Sequence, residues 1–304
     1  MALLTRKIKG QIRSIKNTQK ITKAMEMVAA AKMRKAVNAV LSSRPYAKLA
    51  WSITQELSEK TDRELHPLLA KRENVQRIGI VLVSANRGLC GVFNQQVARE
   101  AIACARKEHD LSADAHIEFV TLGKKGATVV AKAGLQIGAD FGKLDTLSSF
   151  NEIATVASFI TSKYLNKEYD KVLLIFTDFI NSLRQKPNTL QLLPLVGEPT
   201  AELGAVGQTE KALVAPTVSE YLFEPSPDVV LESFLPHLVE IQLYQAVLES
   251  NASEHSARMV AMKNATDAAR DLINDLTLSF NKARQAAITQ EISEISVSKA
   301  AMEG

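Results

Sequence analysis

Aromatic residues are scarce in this chain: 5% of 304 positions, with a single tryptophan. Together with only 13 glycines, that composition suits long helices better than strand-rich sandwiches. Cysteine is nearly absent, and Cys90 and Cys104 form no CxxC pair. The five histidines, His66, His109, His116, His237 and His255, are scattered and reach neither HExxH nor zinc-finger spacing. A reducing setting with no structural metal and no cofactor is therefore expected. No window approaches the roughly 18 to 20 uninterrupted apolar residues of a membrane span. The first ten residues are basic and mixed rather than a charged end followed by an apolar stretch. The expectation is of a chain neither secreted nor membrane-spanning. At 46% hydrophobic it is globular rather than disordered, and its length suits two structural units.

Acid is almost missing from one end. Between Met1 and Arg44 eleven basic residues face one acid, Glu26, a local net of +10, so the other 260 residues carry −6 against the whole chain's +4. Such an arm seeks acidic partners: nucleic acid, anionic lipid or an acidic protein surface. The sign alone does not choose among them. Aromatic stacking residues are missing from the arm, and Met25, Met27, Val28 and Met33 lie where bases would be read, which favours packing against protein.

What the chain has is helix at both ends. No Gly or Pro interrupts the stretch between Gly10 and Pro45, which is rich in Ala, Lys, Met and Arg and predicts one long helix, continuing past a kink to about Ser58. Ile8, Ile12 and Ile15 mark one face. Ile21, Met25 and Val28 begin a second, so this helix should touch more than one neighbour. From His237 to Glu303 run 67 residues without Gly or Pro, about 100 Å as a continuous helix. Alternate steps of three and four from Leu238 reach Gln290 through sixteen positions, twelve of them apolar, a heptad seam. The four exceptions are Gln245, His255, Thr266 and Gln290. An antiparallel coiled coil of the two terminal helices is the economical arrangement.

Between them strands and helices alternate. The pattern predicts strands at Ile78–Ser84, His116–Leu122 and Val172–Phe176, and helices at Asn94–His109, Lys124–Ala133 and Phe150–Leu165. An edge hairpin is predicted over Phe179–Leu193, broken at Lys186-Pro187-Asn188. This is an α/β layer domain with a largely parallel sheet. The fold class expected is α/β plus coiled coil, with a Rossmann-like domain inserted between the terminal helices. Its divisions are residues 1–60 and 228–304 for the terminal helices, 75–197 for the α/β domain and 198–227 for a foot loop.

Candidate chemistry is thin. Ser84-Ala85-Asn86-Arg87-Gly88-Leu89-Cys90-Gly91 follows a strand and opens a helix, where α/β proteins bind phosphates. It matches neither GxGxxG nor GxxxxGK[ST] and reads as a structural turn. Gly123-Lys124-Lys125-Gly126 is an ordinary helix start, and Cys90 reads as buried filler rather than a nucleophile. Asp170 and Asp178 flank a strand and read as solvated strand-end carboxylates. Arg284 and Gln285 sit among small residues, either as solvated surface or as a polar contact ring inside a protein collar.

Three segments together resemble the gamma-subunit family of F-type ATP synthases. They are IKNTQKITKAMEMVAAAKMRKA (Ile15 to Ala36) with SRPYA (Ser43 to Ala47), SANRGLCGVFN (Ser84 to Asn94), and ASEHSARMVAMKNATDAA (Ala252 to Ala269) with NKARQAAITQEISEI (Asn281 to Ile295). In the second segment Asn86 and Val92 stand where the family usually has Asp and Gly, which implies a local change in loop geometry. The chain lacks the extra cysteine pair of redox-regulated chloroplast members. The resemblance implies a non-catalytic central rotor shaft coupling ion flow to ATP synthesis or hydrolysis on the beta subunits. One copy would stand in a ring of three alpha and three beta subunits. Its α/β domain would sit beside epsilon and the c-ring, with delta and the membrane subunits reached indirectly. It implies a peripheral position on the cytoplasmic face of the cell inner membrane. It further implies that acidic loops of beta bear on Lys20, Lys23 and Met25, that Arg284 and Gln285 hydrogen-bond a loop of beta, and that Ile288 to Ile295, with Ile288 and Gln290 at its start, lie in an apolar bearing. Tyr221, Glu224 and the loop from Glu202 to Thr217 would meet epsilon and the c-ring. Two other readings stand beside it: a basic coiled-coil nucleic-acid-binding or scaffold protein, and a nucleotide-binding α/β enzyme using Ser84–Gly91.

Overall fold

A computed structural model describes residues 2–60, 66–70, 72, 74–112, 114–143, 150–195 and 226–303. Along the chain run α1 (Ala2–Lys60), β1 (Arg77–Val83), α2 (Phe93–Leu111), β2 (His116–Leu122), α3 (Lys124–Lys132), β3 (Gln136–Phe141), α4 (Phe150–Leu165), β4 (Lys171–Phe179), β5 (Gln185–Leu193) and α5 (Pro227–Glu303). The chain divides into two compact units. One comprises residues 30–258, the other residues 1–29 with 259–304.

In the 30–258 unit the five strands lie in the order β3-β2-β1-β4-β5, with β1 to β4 parallel and β5 antiparallel to β4. The near-continuous apolar run of β1, RIGIVLV, follows from burial on both faces of a parallel sheet. Ile78, Ile80 and Leu82 point to one side with Phe119, Leu173 and Ile175, where Val97, Ala101 and Ala105 of α2 and Val130 of α3 cover them. Val81 and Val83 point to the other side with Val120, Leu174 and Phe176. There Ile153, Val156, Ala157 and Ile160 of α4 and Leu235, Leu238 and Val239 of α5 close the core. Alternation along single strands thus feeds two helical layers.

Most expected elements are present, and β2 and α4 match residue for residue. Two points differ. β3 has no counterpart in the sequence reading, because its six residues QIGADF, with alternating exposure and a central Gly138, carry too weak an apolar signal. The hairpin turns at 180–184, earlier than expected, where Asn181 Oδ1 accepts the N–H groups of Leu183 and Arg184 at 2.9 and 2.8 Å, an Asx turn. Pro187 stays in β5 opposite Thr177, since an edge strand has one side on which a missing N–H costs no ladder bond. The last helix, α5, begins at Pro227, within a residue of the expected 228, and runs through Pro236, as α1 runs through Pro45. Pro227 occupies its first turn, where its missing N–H goes unused, and the Ser226 hydroxyl caps the Val229 N–H. The foot loop falls outside the described residues apart from its last two positions.

Within the same unit α1 and α5 run in opposite directions. Ser43 donates to Gln245 at 2.6 Å, while Tyr46, three residues further along α1, meets His237, eight residues back along α5, at 3.0 Å. Ala36 and Val40 pack against Leu248 and Ala252.

The unit formed by residues 1–29 and 259–304 is helical throughout its described length. Thr22 and Ala29 are buried on α1, and Met262, Thr266 and Ala269 on α5. The Thr22 and Thr266 hydroxyls are hydrogen-bonded at 2.8 Å between the two helices.

Candidate functional site

In an open α/β sheet, ligands bind outside the carboxyl ends of the strands, where neighbouring connections leave in opposite directions. Here that crevice lies beyond β1 and β4, and the chain's own α5 fills it. Eight consecutive residues, Glu249 to Ser256, are buried although seven of them are polar. Each of several strand-end groups finds a side chain of this segment. Ser253 Oγ donates to the Thr177 carbonyl at 3.2 Å and Ser256 Oγ to the Ser182 carbonyl at 2.7 Å, while a Glu249 oxygen accepts the Phe179 N–H at 3.1 Å. On the β1 side Arg258 donates to the carbonyls of Arg87 and Gly88 at 3.4 and 3.3 Å, and to Glu254 at 2.9 Å. Lys143 Nζ bridges Glu254 at 2.9 Å and the Ser84 carbonyl at 3.1 Å.

The loop Ser84–Gly91, read from the sequence as a structural turn, is a turn on which α5 docks. Ser84 Oγ accepts the Gly126 N–H at 2.8 Å, and Asn94 Oδ1 accepts the Ala85 N–H at 3.0 Å. A Cβ at Gly126 would sit 2.7 Å from Ser84 Oγ, which explains the second glycine of Gly123-Lys124-Lys125-Gly126 by close packing. Burial pushes the Cys90 thiol above its ordinary range despite the nearby Arg258, so it is held unreactive. Asp170 and Asp178 are not solvated, which corrects the sequence reading. Both are buried and lie at opposite ends of β4. Asp170 accepts Arg72 at 2.9 Å and the Arg77 N–H at 2.9 Å, and these bonds outweigh burial to hold its carboxyl below the usual range. Asp178 accepts Asn188 Nδ2 at 2.8 Å.

Two glutamates on neighbouring turns of α5 titrate in opposite directions. Burial dominates at Glu249, whose carboxyl rises although Arg44 Nη2 stands 3.1 Å away. Burial also opposes the charge on Glu254, but Lys143 and Arg258 together overcome it and bring the carboxyl to about 2. Between these cations burial drives His255 down to about 4. Nothing in the sequence pattern singled out Lys143. The signal available for the rest was the run of polar residues interrupting an otherwise apolar seam.

Outside this hub the α/β unit has an open cleft of about 370 Å³ lined by Arg77, His116, Glu118, Lys163, Glu168 and Tyr169. Its charges are turned on one another: Lys163 pairs with Glu168 at 2.8 Å, Tyr169 donates to Glu118, and Arg77 pairs with Asp170 at 3.3 Å.

The residues singled out for partner contact lie on the helices of the other unit. Lys20 is exposed, Lys23 is exposed and paired with Glu26 at 3.0 Å, and Met25 is half-buried. Arg284 and Gln285 are exposed, as are Ile288 and Gln290, the latter donating to Glu294 at 3.0 Å. Tyr221 and Glu224 lie outside the described residues. The second apolar face of α1 is open: Ile21 and Val28, seven residues apart, are 61% and 56% exposed. On α5 Ile288, Ile292 and Ile295 recur at spacings of four and three and are likewise exposed. Apolar side chains repeating along one helix face and left bare mark a surface that another protein covers.

A crevice closed by the chain's own helix, together with helices bearing bare apolar and basic faces, defines a protein whose business is contact with other proteins. The comparisons agree. A family model described as ATP synthase matches residues 4–302. The ATP synthase gamma chain of Heliobacterium modesticaldum is 44% identical over 290 residues, covering 95% of this chain and 96% of that one. That of Pelotomaculum thermopropionicum is 43% identical over 298 residues, covering 98% and 99%. Among solved structures, a chain of the Euglena gracilis mitochondrial ATP synthase, OSCP/F1/c-ring, in rotational state 3, matches with a TM-score of 0.66 at 20% identity over 99% of this chain and 95% of its own. The chain belongs to the ATP synthase gamma chain family. The reading as a nucleic-acid-binding or scaffold protein finds no support among these relatives.

Proposed function

We propose that the chain is the central rotor shaft of a rotary ATP synthase, a non-catalytic subunit that couples ion flow through the membrane sector to ATP synthesis or hydrolysis on beta. The observation that carries this reading is full-length similarity to gamma chains, combined with bare apolar stripes on the terminal helices. In this reading α1 and α5 form an antiparallel coiled coil turning inside a collar of three alpha and three beta subunits. The Rossmann-like α/β domain, inserted between them, faces epsilon and the c-ring. The shaft helices correspond to residues 1–60 and 228–304, the α/β domain to 75–197 and the foot loop to 198–227.

Lys20, Lys23 and Met25 would take the thrust of acidic loops on beta. Arg284 and Gln285 would hydrogen-bond the collar, and Ile288 and Gln290 would open the apolar bearing. Bare isoleucines suit a bearing because apolar contact is non-directional and holds at many angles of rotation. Tyr221 and Glu224 are assigned to the epsilon and c-ring contact. No described helix is long and apolar enough to cross a membrane, in keeping with peripheral attachment through the complex. The attachment proposed is to the cytoplasmic face of the inner membrane.

Reconstitution tests this. Mixed with purified alpha and beta subunits, one copy of the chain should join three of each, as read by native mass, and multisite ATPase activity should appear. A chain that stays free sinks the proposal. Replacing Arg284 and Gln285 together by Ala should leave folding unchanged to within about 0.5 kcal/mol, since both are exposed, while weakening assembly or coupling. Full ion pumping in that double variant would remove these two residues from the contact.

A further inference from the structure

The shaft reading requires torque to pass between the α/β unit and α5, and that step needs a helix that does not roll on its seat. We propose that Glu254 and Arg258, with Lys143, are positioning residues that fix the rotational phase of α5 on the sheet. The inference rests on the proposed rotor function and deepens it.

Apolar contacts also meet α5 at this place: Ala257 packs against the cluster of Ala85, Cys90 and Phe93, and Leu248 and Ala252 pack with Phe179, Ala36 and Val40. Such contacts depend on buried area rather than direction, so by themselves they let a cylinder turn. The polar contacts do not. At about 100° per residue, Glu249, Ser253 and Ser256 fall within about 60° of one another on α5. They hold the β4 side through the Phe179 N–H and the Thr177 and Ser182 carbonyls. Glu254 and Arg258 fall about 130° to 170° around the helix from the middle of that group. They hold Lys143 and the carbonyls of Arg87 and Gly88.

The helix is thus gripped from two nearly opposite sides. A roll of about 30° would carry side-chain ends some 6 Å from the axis through about 3 Å. That displacement exceeds what a 2.9 Å hydrogen bond tolerates. Water cannot replace the lost partners, because the Lys143 and Glu254 side chains are only 3% and 6% exposed. Lys143 itself is tethered to the Ser84 carbonyl at the end of β1, so the grip reaches the sheet rather than a loose loop.

The test uses the complete ATP synthase in vesicles, with hydrolysis and ATP-driven ion pumping measured on the same preparation. Glu254→Gln and Arg258→Ala should assemble and hydrolyse at rates within twofold of the parent, while ions pumped per ATP fall at least threefold. Arg258→Lys keeps a charged donor toward Glu254 and should recover at least half of the loss. A purely structural role would lower hydrolysis and pumping together, or reduce assembly with the ratio intact, and either result overturns the proposal. If Glu254→Gln and Arg258→Ala do not assemble, Ser253→Ala and Ser256→Ala decide, each removing one bond of the opposite grip. A lowered ratio in either supports the inference, and an unchanged ratio in both refutes it. The parent complex separates the two readings: if it neither assembles nor pumps, the rotor function has failed rather than the grip.

Discussion

Replacing Arg44 by Met would leave the Glu249 carboxylate buried beside an apolar side chain. Glu249 is fully buried, and burial already raises its carboxyl despite the guanidinium at 3.1 Å. Stranding one member of a buried pair costs about 3 to 5 kcal/mol when the survivor stays charged. Glu249 has a cheaper course, which is to take up a proton. Its unfolded-state value near 4.5 then sets the cost, because at pH 7 a carboxyl neutral only in the fold costs about 3 kcal/mol, and at pH 5 about 1 kcal/mol. The sign follows from linkage. With its folded pKa raised, Glu249 favours the fold below 4.5 and loses that contribution as pH rises toward the folded value.

The control is Arg44→Met with Glu249→Gln, which keeps an acceptor for the Phe179 N–H, now held at 3.1 Å, but cannot ionise. Urea denaturation of the full chain, followed by circular dichroism, compares the two variants. At pH 7 the single variant should be less stable than the double by about 3 kcal/mol, and at pH 5 by about 1 kcal/mol. Other titrating groups, His255 and Glu254 among them, are common to both variants and cancel. An equal gap at the two pH values, or no gap at either, would refute the assignment of Glu249 as a carboxyl dominated by burial.

Acid should loosen the hub by a second route. His255 falls from 6.5 to about 4 on folding, so its contribution is complete above pH 6.5 and is lost as pH drops toward 4, by about 2 kcal/mol at pH 5. The melting temperature of His255→Gln should accordingly fall less than the parent's between pH 7 and pH 5, and parallel falls would count against burial of a neutral imidazole. In the helical unit, Thr266→Val should cost about 0.5 to 1.5 kcal/mol by removing the bond between the helices, while the Thr22 hydroxyl keeps its own bond to the Gln19 carbonyl at 3.1 Å, read by urea denaturation. Thr22→Val in that background should add less than it does alone, and strict additivity would mean the 2.8 Å bond contributes nothing.

How far the sequence could be read depends on the range of the forces involved. α4 and β2 were legible to the residue because apolar period, flanking turns and length all point the same way. β3 was not, since a short strand with a glycine takes its identity from pairing with β2, a contact that no local pattern encodes. Pro187 misplaced the hairpin because proline usually ends a strand, and only the position of β5 at the sheet edge removes that objection. The candidate partner surface was visible as surplus apolar periodicity on α1. Ile21 and Val28 repeat on a face the chain's own partner helix does not need, and they are bare.

The heptad seam of α5 carries the most information where it fails. Of its four polar members, Gln290 is exposed, but Gln245, His255 and Thr266 are buried; Gln245 and Thr266 meet Ser43 and Thr22 on α1, while His255 meets Arg258 three residues along its own helix. A coiled coil seeking only stability would place leucine there, since replacing buried polar contacts with well-packed apolar ones is often neutral or stabilising. A polar group in such a seam disfavours every register in which it lacks its partner, and so fixes one. Glu249 and Glu254 extend that logic to charge. Five residues apart on one helix, they meet the same burial penalty with different numbers of cations. One guanidinium does not overcome it, whereas a guanidinium and an ammonium together do. The sequence shows two glutamates, and only the count of opposing charges, supplied by Arg44 on α1 and by Lys143 after β3, separates a carboxyl that burial pushes up from one that its cations hold down.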